Sequence, residues 1–339
     1  MRERAEALAA VIPRERLDPA VLAWAARSSR ARWGLAFSGG ADSLALVLLV
    51  WALWPGRRRR LVVLHFNHRL RGRAARADAT FCRQVCARLG LQCVTGAWAG
   101  HRPGASEAEA REARLGFLRK HARFLWFGHQ RDDVAETMLM RLARGSGAGG
   151  LAAPRPVQSA GGGRVHLRPL LRLRHAELTT ALRAAGIAWR EDASNATGLY
   201  LRNRVRRDIL PRWERVAGRD AVAGAARSRE LLEEDDTALE GWLDRVRPLD
   251  ARGRLDLARL HGAPRALWRR ALHRWVLVNP PAAVLSRAAF DTLLQQVESG
   301  TRMRQSAGRA WFAVSDGRRL SLEAAPRARG DRPRRGRAN

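Results

Sequence analysis

The short apolar run Trp33 to Phe37 passes straight into Ser38-Gly39-Gly40-Ala41-Asp42-Ser43, which passes straight into the apolar run Leu44 to Val50. Few arrangements accommodate that order. Adjacent glycines let the backbone turn sharply and present its N–H groups on one side. A stretch as apolar as Leu44-Ala-Leu-Val-Leu-Leu-Val has to be a helix buried against a sheet. Further short apolar runs stand at Leu61 to Leu64, which leads into His65-Phe66-Asn67-His68, at Leu91 to Val94 and at Phe124 to Phe127, with helical patterns between them at Cys82 to Leu89 and Glu107 to His121. Strand alternating with helix predicts an α/β fold, a parallel sheet covered on both faces whose ligands bind beyond the C-terminal ends of the strands.

The flanks extend this core. Asp18-Pro19 reads as an N-cap with proline at the first helical position, opening a short helix that ends near Arg30. Arg144 to Gly163 is rich in Gly, Ala, Ser and Pro, as functional loops often are. Val165 to Leu171 is expected to be a last strand, and His175 to Ala185, closed by Gly186, a helix with a glycine C-cap. After Pro211 helical patterns dominate. The expected divisions are therefore residues 1–30 as N-terminal helices leading into the core, 31–215 as the catalytic domain, 216–325 as a mostly helical domain, and 326–339 as a basic disordered tail.

Composition narrows the function. The chain has 339 residues, 46% of them hydrophobic, enough for a sizeable core. Its 63 Lys and Arg against 32 Asp and Glu leave a net charge of +31, which favours a polyanionic partner, nucleic acid first and an anionic membrane second. Lys120 is the one lysine, and an arginine excess with abundant Ala and Gly also arises from a GC-rich genome, so the charge permits a partner without identifying it. Cys82, Cys86 and Cys93 form no C-x-x-C unit, which argues against a disulfide scaffold or redox motif. The most apolar run, Leu44 to Trp54, reaches about half of the roughly 20 residues that a membrane span needs. The acid-bearing N-terminus lacks the apolar region of a signal peptide. A cytoplasmic enzyme or RNA-binding protein is expected.

Four constellations carry chemistry. Ser38-Gly39-Gly40-x-Asp42-Ser43 combines backbone donors, hydroxyls and a helix N-terminus, a cradle for pyrophosphate. It has neither the lysine of G-x-x-x-x-G-K-[ST] nor the spacing of G-x-G-x-x-G. His129-Gln-Arg-Asp132-Asp133-x-x-Glu136-Thr137 follows the Phe124 to Phe127 run. On a helix, residues 129, 133 and 136 share a side and together could hold Mg²⁺ or an ammonium, although acids that merely start a helix are the plainer alternative. Glu107, Arg111 and Arg114 share a helix face, where an exposed ion pair is the alternative. Trp189-Arg-Glu191-Asp192-x-Ser194-Asn195 leads to Tyr200-Leu-Arg202-Asn203-Arg204-x-Arg206-Arg207, a donor-rich stretch suited to phosphates, with a solvated basic face as the alternative. His65 and His68 have no cysteine or carboxylate spacing around them that suggests a structural zinc site.

The first constellation resembles the PP-loop of the ATP pyrophosphatases, which cleave ATP between the α and β phosphates and adenylate a substrate. Together with His65-x-Asn67-His68, Arg144-Gly-Ser-Gly and Arg168-Pro-Leu-Leu, the four sets follow one another over about residues 33 to 211 as they do in the tRNA(Ile)-lysidine synthetase family, which the chain resembles closely. The resemblance implies a Rossmann-like PP-loop domain of the adenine nucleotide alpha hydrolase type, followed by a tRNA-binding helical domain, to which the pattern around Arg269 to Trp275 and Gly308-Arg309-Ala310 is similar. Longer members carry a further C-terminal domain for the tRNA acceptor end, and the chain is expected to stop before it. Leu115 stands where an aromatic residue is usual.

What the family implies is an ATP-dependent carbon–nitrogen ligase. It joins free L-lysine to C2 of the wobble cytidine, position 34, of the isoleucine tRNA with a CAU anticodon, by way of an adenylated cytidine, and so changes decoding from AUG to AUA. On that reading Ser38, Gly39, Gly40, Asp42 and Ser43 bind ATP, with Asp42 toward Mg²⁺. Asp133 and Glu136 recognise lysine, His129 stands at the reacting centre, and Arg111 meets AMP or the adenylate. Arg202, Asn203, Arg204 and Arg207 grip tRNA. No membrane or obligate protein partner is expected. The rivals are a PP-loop tRNA 2-thiolase, which would call for paired cysteines or an iron–sulfur cluster, and an inert RNA-binding protein on the same fold.

Overall fold

A computed structural model describes residues 1–27, 31–67, 73–100, 106–191, 201–308 and 310–325. They divide into two compact units, Met1–Glu233 and Glu234–Asn339. His68, Asp192, Ser194, Asn195, Tyr200, Arg309 and the basic tail lie outside the described residues.

The first unit opens with α1 (Arg2–Val11) and α2 (Pro19–Arg27), followed by β1 (Trp33–Ala36), α3 (Ala41–Leu53), β2 (Leu61–Asn67), α4 (Arg73–Leu89), β3 (Gln92–Ala97), α5 (Glu107–His121), β4 (Phe124–Trp126) and α6 (Arg131–Leu142). Then come α7 (Ala148–Leu151), β5 (Val157–Ser159), β6 (Val165–Leu167), α8 (His175–Ala184), α9 (Leu201–Arg204), a π-helical turn at Val205–Ile209, α10 (Leu210–Ala217) and α11 (Ala221–Val246), which runs through the division between units. The sheet order is β3-β2-β1-β4-β6-β5. The first five of these strands run parallel; β5 pairs antiparallel with β6.

The expected parallel sheet is present, and the antiparallel edge is an addition to it. Gly161, Gly162 and Gly163 all take positive φ and turn the chain between β5 and β6, inside the stretch read from sequence as loop. The last strand is accordingly shorter than the expected Val165 to Leu171.

Helix α3 is buried on every side: Leu44 through Val50 are each at most 1% exposed. At roughly 1.5–3 kcal/mol for each fully buried large aliphatic side chain, that run alone anchors the helix to the sheet. Ala5, Leu8, Ile12, Val21 and Ala25 from α1, α2 and the chain between them join the same core. Trp24, Trp33, Trp54, Phe124 and Trp126 pack edge-to-face or tilted around the start of β1 and along β4, and the polar motifs begin beyond the ends of those strands.

The second unit carries the rest of α11, then β7 (Leu255–Asp256), α12 (Arg265–Val278), α13 (Arg287–Glu298), β8 (Met303–Ser306), β9 (Trp311–Ser315) and β10 (Arg319–Ala324). Its strands form an antiparallel sheet in the order β7-β10-β9-β8. Leu267, Leu272, Trp275, Leu293, Ala313 and Leu320 form its core. The mostly helical expectation for 216–325 did not include this sheet, whose strands are short and share no common pattern: β10 alternates apolar with polar residues, β7 and β8 carry one apolar residue each, and the Trp311 to Val314 run of β9 is brief. Among the described residues no helix is long and apolar enough to cross a membrane.

Candidate active site

Strand order reverses between β1 and β4, and open parallel sheets bind ligands in the crevice beyond such a switch point. Two of the four constellations, Ser38–Ser43 and His129–Thr137, leave the sheet there. Ser38 to Gly40 follow β1. Gly39 takes φ +99°, a conformation that side chains other than glycine's rarely adopt. Gly40 caps α3, and the Ser43 hydroxyl donates to its carbonyl at 3.0 Å. The Ser38 N–H donates to Ser43 Oγ at 3.1 Å, and the two serine hydroxyls stand 2.9 Å apart. The loop is thus closed by its own side chains, with the N-terminus of a long helix directed out of it.

The other side of the crevice begins at Gly128, after β4. A Cβ there would lie 2.7 Å from the Asp42 carbonyl oxygen and 3.0 Å from the Ser43 nitrogen. Only glycine lets the end of β4 approach the first turn of α3 so closely. Asp42, in the first turn of α3, accepts a hydrogen bond from His175 Nδ1 at 2.8 Å. Burial pushes its carboxyl pKa up, and the His175 contact opposes that shift.

Helix α6 starts at Arg131, with Gln130 as its cap: the Gln130 side chain accepts from the Asp132 N–H at 2.5 Å, and Asp133 Oδ2 accepts from the Gln130 N–H at 2.9 Å. His129 therefore precedes the helix, and the expectation that residues 129, 133 and 136 share one helical face is corrected. Asp133 and Glu136 do share the buried side, Glu136 with no exposed surface. Two guanidinium groups lie against them. Arg202 donates through Nε to Glu136 Oε2 at 2.7 Å and through Nη2 to Asp133 Oδ1 at 3.0 Å. Arg206 donates through Nε to Glu136 Oε1 at 2.5 Å and through Nη2 to Asp133 Oδ1 at 3.3 Å. Burial raises the Glu136 pKa, while Arg206 and Arg202 pull it down.

The donor-rich stretch is thereby split. Arg202 and Arg206 turn inward to the acids, whereas Arg204 and Arg207 are exposed and Arg207 pairs with Asp208 at 2.9 Å. Pro211, which has no N–H to offer the Arg207 carbonyl, sits just beyond the widened π turn.

His129 faces a cavity of about 300 Å³ whose lining includes Arg111, Arg114, Phe127, His166 and Arg168. Its ring stacks on Phe127 at 5.6 Å, and Phe127 meets His166 edge-on at 5.1 Å. Arg168 Nε donates to His129 Nδ1 at 3.1 Å, and Arg168 Nη1 donates to the Arg155 carbonyl at 2.6 Å. With Nδ1 accepting, the neutral ring carries its proton on Nε2. Burial and the Arg168 charge push the His129 pKa well below its usual value, and the same two causes bring His166 to about 4. Arg168 is itself lowered to about 10, by burial first, and stays cationic near neutral pH.

The PP-loop domain family matches residues 14–213. A tRNA(Ile)-lysidine synthase from Thermobifida fusca is 38% identical over 276 residues, 77% of this chain and 83% of that protein. The chain belongs to the tRNA(Ile)-lysidine synthase family. Other members, from Symbiobacterium thermophilum and Solibacter usitatus, are 36% and 40% identical over 85% and 65% of the chain, which spans 63% and 49% of their lengths. Among solved structures, a U34-tRNA thiolase from Methanococcus maripaludis with its [4Fe-4S] cluster has the same fold, with a TM-score of 0.52 and 18% identity over 68% of this chain and 79% of that one.

Cys82, Cys86 and His65 have structural surroundings. Cys82 and Cys86 are buried free thiols, and burial pushes the Cys82 thiol well up. His65 Nδ1 donates to the Phe37 carbonyl at 2.9 Å, and burial lowers its pKa. Among the described residues no group of three or more His, Cys, Asp or Glu could hold a metal ion. Sequence reasoning passed over Gly128, Phe127, His166 and His175. For Gly128 a signal existed, a glycine wedged between a strand and a polar motif; for His175 there was none, since it reaches Asp42 across 133 residues.

Proposed function

We propose that the chain ligates free L-lysine to C2 of the wobble cytidine of the CAU-anticodon isoleucine tRNA, consuming ATP and releasing AMP and pyrophosphate. The juxtaposition at one sheet switch point of a pyrophosphate-type loop and a buried carboxylate pair, with a basic cavity lined by His129, carries this reading. The lysidine synthase relatives support it.

The loop of Ser38, Gly39, Gly40, Asp42 and Ser43 receives the triphosphate, its backbone donors and helix N-terminus stabilising charge as the Pα–O–Pβ bond breaks. Mg²⁺ usually takes one or two carboxylates plus substrate phosphates, and Asp42 fits that requirement, its single carboxylate standing at the loop. Bound there, the ion would neutralise phosphate charge. The cytidine enters the basic cavity, where Phe127 offers an aromatic surface and His129 an Nε2–H donor. Its O2 attacks the α phosphorus and pyrophosphate departs. Arg111 holds the AMP part of the adenylate.

Asp133 and Glu136 then take the lysine side chain. Two carboxylates alone would hold an ammonium tightly and keep it protonated, which opposes attack. Arg202 and Arg206 balance their charge, so the amine is bound yet able to lose a proton. The neutral ε-amine adds to C2, and the C2–O bond to AMP breaks. Exposed Arg204 and Arg207, with Asn203 between them and Arg202, meet tRNA phosphates.

Incubation with the CAU-anticodon transcript, Mg-ATP and labelled lysine tests the proposal. Label in the anticodon with equimolar AMP and pyrophosphate is expected; absence of label on that transcript would contradict it.

A further inference from the structure

We propose that His175 is a positioning residue for Asp42, fixing the carboxylate that the nucleotide loop presents to Mg-ATP. The inference rests on the functional reading above. His175 Nδ1 donates to Asp42 Oδ1 at 2.8 Å, leaving Oδ2 for the nucleotide side. A hydrogen bond to an ionised partner is among the stronger kinds and sets direction as well as distance.

The imidazole is itself held. His175 is the first residue of α8, and its backbone N–H donates to Asp132 Oδ2 at 2.9 Å. The preceding Arg174 donates through Nε to Asp132 Oδ1 at 3.1 Å and through Nη1 to Glu214 and Asp220, each at 3.0 Å. Asp132 therefore clamps the start of α8 by both carboxylate oxygens, and the clamped turn carries the ring that reaches the loop. This gives Asp132 a task distinct from that of its neighbour Asp133: it ties the α6 cap to α8, and through His175 to Asp42. Three segments far apart in sequence are thus linked at the nucleotide end of the crevice.

The test is equilibrium binding of Mg²⁺ with α,β-methylene ATP, which cannot be cleaved between Pα and Pβ, alongside single-turnover pyrophosphate release with ATP and tRNA. His175→Ala is expected to weaken analogue binding about tenfold, as loss of a hydrogen bond to a charged group implies. His175→Asn, whose Nδ2 can stand near the place of Nδ1, restores binding to within about twofold, and His175→Gln does not. In an Asp42→Asn background, His175→Ala has little further effect. A merely structural histidine would instead lower the melting temperature of all three variants without rescue by Asn. Native binding by His175→Ala, no rescue by Asn, or fully additive losses in the double variant would each overturn the proposal. A native chain that fails to bind the analogue would instead refute the functional reading, before any substitution is made, and the proposal with it.

Discussion

The Ser38–Ser43 loop and the Asp133–Glu136 pair leave neighbouring strands of one sheet, yet they are held in opposite ways. The hydrogen bonds among Ser38, Gly40 and Ser43 that fold the loop's turn span five residues or fewer, while the Arg190 N–H to the Gly39 carbonyl and His175 to Asp42 tie it to distant chain. The acids are held by Arg202 and Arg206, 66 to 73 residues away. The turn of the first region is folded by local serine hydrogen bonds, whereas the second depends on a long-range exchange of charge. The turn of the first should survive the loss of a distant contact even where the Asp42 carboxylate loses its orientation, whereas the second should fail when either partner is removed.

Asp42→Ala should produce the largest effect, a fall in pyrophosphate release of roughly a thousandfold, the upper range for loss of a preorganised electrostatic contact, with tRNA binding largely intact by filter retention. Sustained ATP turnover would mean that the loop is only structural. Gly128→Ala tests most sharply how far the loop depends on its packing against the end of β4, because the added methyl would press on the Asp42 carbonyl. It is expected to cost about 1–3 kcal/mol in unfolding free energy, as overpacking does, and to raise the KM for ATP. Native stability and KM would show that the loop owes nothing to β4.

These two regions also mark what was legible in the sequence. The loop could be read because its glycines, serines and acid follow one another and lie between apolar runs of unmistakable type. Asp133 and Glu136 could be read as neighbours on a helix. Their arginine partners could not be paired with them, because no periodicity links residue 136 to residues 202 and 206. His129 was placed on the wrong element for a local reason: Gln130 caps α6, which delays the helix by two residues. Leu255, Met303 and their strand neighbours escaped because the strands are too short and too unlike in pattern to stand out among helices.

Smaller effects come from the charge balance. Arg202→Gln should destabilise the fold more than Arg206→Gln, since the Arg206 side chain is 41% exposed and that of Arg202 28%, and solvent screens the more open pair. Thermal denaturation of the two variants checks the order. In Arg206→Gln, loss of a neighbouring positive charge favours the protonated amine, so the KM for lysine should fall a few-fold while the optimum for lysine transfer moves to higher pH. An optimum shifted downward would contradict the charge-balance argument. The smallest expected response belongs to the cavity histidines. With His166 at about 4 and His129 well below its usual range, neither ring should titrate between roughly pH 6 and 8, the interval where an unperturbed imidazole changes charge. Ring proton shifts moving through that interval would show an ionised cavity.

The central claim is that adenylation belongs to the loop and amine transfer to the acid pair. Glu136→Gln tests it most directly, because the amide keeps the shape of the carboxylate and removes its charge. Pyrophosphate release and lysine incorporation are followed in the same single-turnover reaction. The account predicts pyrophosphate release near the native rate, accumulation of adenylated tRNA, and no lysidine. Parallel loss of both signals, or lysine transfer with an unchanged KM for lysine, would contradict it.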